Sequence, residues 1–230
     1  GFYLAGAAVK FGLDKNLTKA MLNLFGRKPD WVLLGLLLST GLLSAFMSNT
    51  ATSAMMITVI LPIIARLKPE DPFKIGLALA IPCGANIGGV ATPIGTPPNA
   101  VVLGALAKQG IQIGFAQWML LAVPLVLIML FVAWRALLTL YPPQTERIEI
   151  EFEEGWDTSP LALGSYILFG LTVLLWVTDS LHGISSTIIA FLPIAGMSLI
   201  GIITKSDLKN FSWDVLWLVA GGLSLGLTMN

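Results

Sequence analysis

Charge is what this sequence has least of. Only 11% of its 230 residues are Asp, Glu, Lys or Arg, against roughly a quarter in soluble domains. That excludes an ordinary soluble domain, and also a disordered tail, which needs the opposite balance. The 13 basic and 13 acidic side chains cancel, so no basic excess exists to hold nucleic acid. The single cysteine, Cys83, excludes an internal disulfide and a cysteine metal cluster. The single histidine, His182, excludes an HExxH site or a histidine cage. No Gly-rich phosphate loop, nucleophile elbow or heptad repeat occurs, which leaves a membrane enzyme without a catalytic set. What is present is apolar: 56% hydrophobic residues and a mean hydropathy of +0.84. The expected class is an all-α polytopic membrane protein.

The uncharged stretches are 31–65, 75–107, 109–134, 158–178, 180–204 and 215–230. One helical crossing needs about 20 apolar residues, so 109–134, 158–178 and 180–204 fit one span each. The stretches 31–65 and 75–107 are too long for one simple span, and each has a polar or helix-breaking middle. The chain starts inside an apolar run without methionine and stops inside another, which predicts an internal piece of a longer protein.

Basic residues favour the cytoplasmic side. If 31–65 crosses once, Lys10, Lys15, Lys19, Arg27, Lys28 and Lys108 face the seven other basic residues, and no bias results. If 31–65 returns to its starting side, all the basic residues but Lys108 share one side. The second arrangement is expected, with that side cytoplasmic. A turn near Ser48–Thr52 leaves arms of about 15 residues, roughly 22 Å at the helical rise. Such arms fall short of a ~30 Å core, so a re-entrant hairpin is predicted. The acidic loop Glu146–Asp157 reads as a solvated linker.

Two interruptions carry the functional signal. The first is Ser44-Ala-Phe-Met-Ser48-Asn49-Thr50-Ala-Thr52-Ser53. Ser, Asn and Thr are preferred helix caps, so one helix should end near Met47 and the next begin at Asn49 or Thr50. The second runs from Gly84 to Asn99 and holds Thr92-Pro93-Ile-Gly95-Thr96-Pro97-Pro98. Proline costs about 3 kcal/mol inside a helix, so the helix should break near Thr92–Pro97 and restart around Pro98–Asn99. Paired broken helices at the midplane mark secondary transporters. A continuously lined channel pore would not need two localised breaks. Neither interruption contains an acid of the kind a proton relay uses, which favours Na⁺ or exchange. The expected anion hold is two helix N-termini, one after Asn49 and one after Pro97, pointing N–H groups at the ligand.

Elsewhere, His182 is expected to be solvated in a short outer loop and Cys83 to fill space. Trp31, Trp118, Trp134, Trp156, Trp176 and Trp213 sit near run ends, as interface anchors do.

The stretches SNTATSAMMITVILPI and GANIGGVATPIGTPPNA resemble the divalent anion:sodium symporters, which carry dicarboxylates, citrate or sulfate. The resemblance covers essentially the whole chain, including GLDKN and WDVLWLVAGGLSLGL. It implies an inverted-repeat secondary transporter with a re-entrant hairpin and a broken helix, working by alternating access, in a multi-pass arrangement in a bacterial inner membrane and as a homodimer. It implies Ser44, Ser48, Asn49 and Gly95 at a first sodium site, and Asn49, Thr50 and Thr96 at a substrate carboxylate. Sodium-independent exchange is the alternative that the same fold hosts. The family's second SNT tip and second proline break do not occur here, so the chain is expected to hold half of a binding site. The implied organisation is 1–30 scaffold helix end and cytoplasmic linker, 31–66 hairpin, and 72–107 broken helix. There follow 116–141 transmembrane helix, 142–160 acidic cytoplasmic linker, 161–204 two scaffold helices and 213–230 start of a second repeat.

Overall fold

The computed structural model describes residues 2–148 and 155–209, together with Phe211, Trp213, Trp217, Ala220, Gly221 and Ser224. All regular structure among these residues is helical. The helices are α1 Phe2–Lys10, α2 Leu13–Phe25, α3 Pro29–Ser44, α4 Asn49–Arg66, α5 Phe73–Gly88 and α6 Pro97–Lys108. They continue as α7 Phe115–Leu140, α8 Pro160–Val177, α9 Asp179–His182, α10 Ser186–Ile189, α11 Phe191–Leu199 and α12 Lys205–Lys209. The acidic residues Glu149, Glu151, Glu153 and Glu154, and most of 213–230, lie outside the described residues.

Local chemistry sets the boundaries. Pro29 opens α3 in the first turn, where its missing N–H costs nothing. Ser48 caps α4, its hydroxyl accepting from Ala51 N at 3.3 Å. Just before α5, the Asp71 carboxylate accepts from Phe73 N, the first N–H of the helix, at 3.0 Å. Ser159 caps α8 through Ala162 N at 3.3 Å. Four helical segments are long and apolar enough to cross a bilayer: Asn49–Arg66, Phe73–Ala91, Phe115–Leu140 and Pro160–Val177. Leu120, Leu121, Leu125, Ile128 and Phe131 on α7 and Leu163, Ile167 and Leu174 on α8 are exposed. Aqueous solvent penalises such surfaces, and hydrocarbon accepts them because the helical backbone is internally bonded.

Two apolar clusters organise the packing. The larger joins α2, α3, α4, α5 and α7 around Leu33, Leu36, Leu37, Met56, Leu77 and Ile81. The smaller joins α1, α8, α11 and the start of α7 around Leu4, Phe115, Trp176 and Met197. Phe46 and Phe169 pack against both clusters, with their rings edge-on at 6.1 Å.

Both ends of the α3–α4 pair lie at one face. Arg27 O, just before α3, accepts from Ile148 N at 2.9 Å. Asp71, just after α4, accepts from Gln144 N at 3.3 Å and the Thr145 hydroxyl at 3.2 Å. Buried Ile148 fastens the start of the acidic linker to this end. At the opposite end, the Asp179 carboxylate accepts from Phe115 N at 2.6 Å, beside the turn that follows Lys108. The 16 residues of α3 and 18 of α4 span about 24 and 27 Å at 1.5 Å per residue.

Three expectations change. The apolar stretch 180–204 is not one helix. Gly183 at φ 69° ends α9, Ser185 starts α10, and a turn at Ala190 precedes α11. The apolar stretch Ser186–Leu199 is then about 21 Å long at the helical rise. Trp176 is no interface anchor: it is 1% exposed and stacks on Phe115 at 5.1 Å. His182 is not simply solvated. Ile184 N donates to its Nδ1 at 3.0 Å, which leaves Nε2 to carry the hydrogen and donate to Leu175 O at 2.9 Å.

Candidate functional site

The two interruptions meet. The chain turns from α3 into α4 through Ala45–Ser48, and the α5–α6 break lies against that turn. Close approach comes from glycine. A Cβ on Gly84 would stand 3.0 Å from Leu37 O and 2.9 Å from Thr40 Cβ. Small residues let helix backbones approach within a membrane, and here they bring the end of α5 to the hairpin turn.

At the contact, Ser44 is fully buried. Its hydroxyl lies 2.8 Å from Asn49 Oδ1 and 2.8 Å from Ala85 O. A serine hydroxyl has one hydrogen, so only one of those acceptors can receive it. The other contact sets two oxygen lone pairs against each other. More acceptors converge on Gly95. Gly89 O, Ser44 O and Ala45 O would all lie within 3.0 Å of a Cβ placed there. The Thr92 hydroxyl donates to Ala45 O. The Asn99 amide donates to Gly89 O at 2.9 Å and to Thr92 O at 2.8 Å, fixing the broken segment from within. One turn into α4, buried Thr52 has a hydroxyl with no partner among the described residues. The result is a buried region rich in oxygen, without an ionisable side chain among the residues that form it. Hard cations take oxygen ligands of this kind.

Asn49 and Thr96 approach each other across Gly89. A Cβ on Gly89 would sit 2.6 Å from Asn49 Oδ1 and 3.3 Å from Thr96 Cβ. Thr96 is half-buried and extended, at φ −143°. Thr50 is exposed in the first turn of α4. Ser48 caps α4 with its hydroxyl. It also lines a cleft of ≈ 710 Å³ between α1 and α4, with Ala5, Lys10, Ala51 and Asp207.

The expectation of two equivalent helix N-termini needs correction. The first turn of α4 does present backbone N–H groups. Helix α6 begins with Pro97 and Pro98, neither of which has an N–H. Asn99 N is already directed to Thr96 O at 3.1 Å. The α6 end therefore offers a dipole and the Thr96 hydroxyl, but no cluster of N–H donors.

The sequence places Ala85, Asn86, Gly89, Thr92 and Asn99 within the second interruption, but none of them was expected as a site residue. Three of these are polar residues in an apolar stretch, and that was the available signal. Asn86 accepts from Asn49 Nδ2 at 3.0 Å.

The chain belongs to the citrate transporter family, whose pattern matches residues 1–230. It is 30% identical to the sodium-dependent high-affinity dicarboxylate transporter 3 of Caenorhabditis elegans, over 98% of this chain and 50% of that protein. It is also 30% identical to the sodium-dependent dicarboxylate transporter SdcS of Staphylococcus aureus, again over 98% of this chain and 50% of the relative. An inorganic phosphate transporter of Saccharomyces cerevisiae is 28% identical over 98% of this chain and 25% of its own length. The chain thus spans about half the length, or less, of these curated relatives. They come from a worm, a bacterium and a yeast, so membership does not single out a bacterial membrane.

Proposed function

We propose that the protein to which this chain belongs is a sodium-coupled symporter of small divalent anions, working by alternating access. Dicarboxylates such as succinate or malate, citrate and sulfate are the substrate class. The observation that carries the reading is the Ser44 hydroxyl facing two acceptors, Asn49 Oδ1 and Ala85 O, at 2.8 Å each. A cation between Ser44 Oγ and Asn49 Oδ1 resolves the conflict, because the hydroxyl hydrogen can then go to Ala85 O. Ser44, Asn49 and Gly95 surround this position, and Ser48 holds the helix start beside it. The sodium-dependent dicarboxylate relatives support the same ion.

Asn49, Thr50 and Thr96 are the residues for one carboxylate or sulfate. No Lys or Arg occurs in 31–65 or 75–107, so the anion must be compensated otherwise. Helix-end effects contribute about 0.3–2 kcal/mol each. A unit charge about 4 Å away contributes roughly 4 kcal/mol at an effective dielectric near 20. Sodium therefore outweighs the dipoles, and it binds before the anion. The α3–α4 pair acts as a re-entrant hairpin, supported by its two ends meeting at one face and by the 16 residues of α3, about 24 Å at the helical rise against a ~30 Å core. Within the family fold, the full protein adds an inverted second repeat and pairs as a homodimer.

The test is uptake of labelled succinate by the full-length protein in liposomes, with and without an inward sodium gradient. Sodium-driven accumulation is expected. Thr50→Val and Thr96→Val should raise the succinate KM severalfold with sodium affinity nearly unchanged. Uptake indifferent to sodium would point to the exchanger of the same fold. A preference for phosphate over succinate would align the protein with its phosphate-transporting relatives.

A further inference from the structure

Asn86 faces the candidate site from the last turn of α5, and nothing above gives it a role. It is exposed, one residue from the carbonyl of Ala85 that Ser44 contacts. Its Oδ1 accepts from Asn49 Nδ2 at 3.0 Å. The Asn49 amide is oriented with its Oδ1 near the Ser44 hydroxyl at 2.8 Å and its Nδ2 toward Asn86. These contacts form one directed chain. Oxygen lone pairs of Ser44 and Asn49 face the buried end. The Asn49 N–H points outward to the Asn86 carbonyl, and the Asn86 NH₂ comes last. No described residue takes up those Asn86 hydrogens. An amide has two N–H donors, so this pair is available at the exposed end of the chain.

We propose that Asn86 is both a ligand of the transported anion and the residue that couples it to the cation, a reading that rests on the sodium-coupled function above. A cation on Asn49 Oδ1 draws electron density from that amide and strengthens its N–H as a donor. The bond to Asn86 Oδ1 tightens and polarises the second amide in the same sense. The Asn86 N–H groups then meet the anion as better donors. Hydrogen bonds in a chain reinforce one another in this way. The chain is built from neutral groups, so no proton is transferred. It also sorts the ligands: an oxygen-lined end for the cation and an N–H end for the anion, joined by two amides about one hydrogen bond apart.

The experiment uses the full-length protein in detergent, with equilibrium binding of succinate, citrate, sulfate and phosphate at low and saturating sodium. The anion bound most tightly in sodium is carried forward. Asn86→Asp keeps the acceptor that holds Asn49 and removes the N–H donors. It should weaken that anion roughly 10-fold or more, the weight of a lost hydrogen bond to a charged group. Sodium binding measured without anion should stay equal or become tighter. Asn86→Ala should weaken the anion and also flatten the dependence of its Kd on sodium. Asn86→Ser has a hydroxyl that both accepts and donates, and should recover part of that dependence. If both Asp and Ala variants bind the anion as the wild type does at saturating sodium, the inference is overturned. If sodium and anion weaken in parallel in all three variants, along with a lower melting temperature, Asn86 is only structural and the inference is likewise overturned. A wild-type protein that binds none of the four anions in a sodium-dependent way would overturn the functional reading itself, and this inference with it.

Discussion

Gly88 of α5 meets Gly41 of α3 backbone to backbone: a Cβ on Gly88 would fall within 2.6 Å of the Gly41 Cα, C and O. The contact lies one residue before Gly89 and three before Ser44, so it sets how closely the broken helix approaches the hairpin turn. Gly88→Ala must push the helices apart, because the obstruction is backbone and cannot rotate away. Overpacking of this kind costs about 1–3 kcal/mol. The full-length variant should melt several degrees lower and lose most of its transport. Gly104→Ala, which meets nothing within 4 Å, should behave as wild type in the same melt and flux assays.

Gly95→Ala tests the oxygen cluster directly. Its added methyl would occupy the point on which Gly89 O, Ser44 O and Ala45 O converge. Sodium K0.5 for uptake should rise roughly 10-fold, the equivalent of about 1.4 kcal/mol, and Asn49→Ala should act in the same direction. A folded Gly95→Ala protein with unaltered sodium activation would place the cation elsewhere.

Sidedness follows from the bonds that tie Arg27 and Asp71 to residues 144–148. Cysteines at Lys19 and Lys68, in a background lacking Cys83, should react with a membrane-impermeant maleimide from the same, cytoplasmic, side. A cysteine at Lys108 should react from the other side. Opposite labelling at 19 and 68 would remove the hairpin.

An acid-sensitive fastening joins the two ends of the described chain. Lys10 Nζ lies 2.7 Å from Asp207 Oδ2 and also donates to Ile202 O at 3.0 Å. The Lys10 ammonium first, then the Thr204 N–H and hydroxyl, hold the Asp207 carboxyl down to about 2, below its ordinary 3.8. A carboxylate with a depressed folded value stabilises fully above its unfolded value, and that stability is lost as pH falls through the folded one. The pair is partly exposed, at 34% and 26%, so its contribution is at most about 1 kcal/mol. Melting temperature should therefore fall by a small extra step between pH 4 and 2, and Asp207→Asn should remove that step. An identical pH profile in the variant would show that the pair adds nothing.

The hairpin turn was readable because its signal is local. Ser48 and Asn49 are cap residues between two apolar stretches, and α4 begins at Asn49 as that chemistry requires. The break before Pro97 was readable for the same reason, though α6 starts a residue earlier than expected, with Pro97 itself in the first turn. The subdivision of 180–204 was missed because hydropathy does not report where a helix stops. Gly183, Ser185 and Pro193 carried that information, and an uninterrupted apolar stretch concealed it. Trp176 was misplaced for a related reason: position near a run end does not tell whether an indole meets lipid or, as here, Phe115. The contacts of Asn49 with Asn86 and of Thr92 with Ala45 O join residues 37 and 47 positions apart. Only folding brings such pairs together, and a single sequence contains no trace of them.

The start of α6 has a consequence for the cost of binding. Pro97 and Pro98 supply no amide hydrogen and each costs about 3 kcal/mol inside a helix, which strongly disfavours a helix that runs unbroken from Gly89 through this point and melts when an ion arrives. The interruption belongs to the covalent structure. On the proposed reading, an ion at Gly89 O and Ser44 O would meet oxygens already in place, and the ordering entropy that a flexible loop would lose on binding would already have been lost on folding. Preorganisation of this kind strengthens binding by removing a cost, without adding a contact.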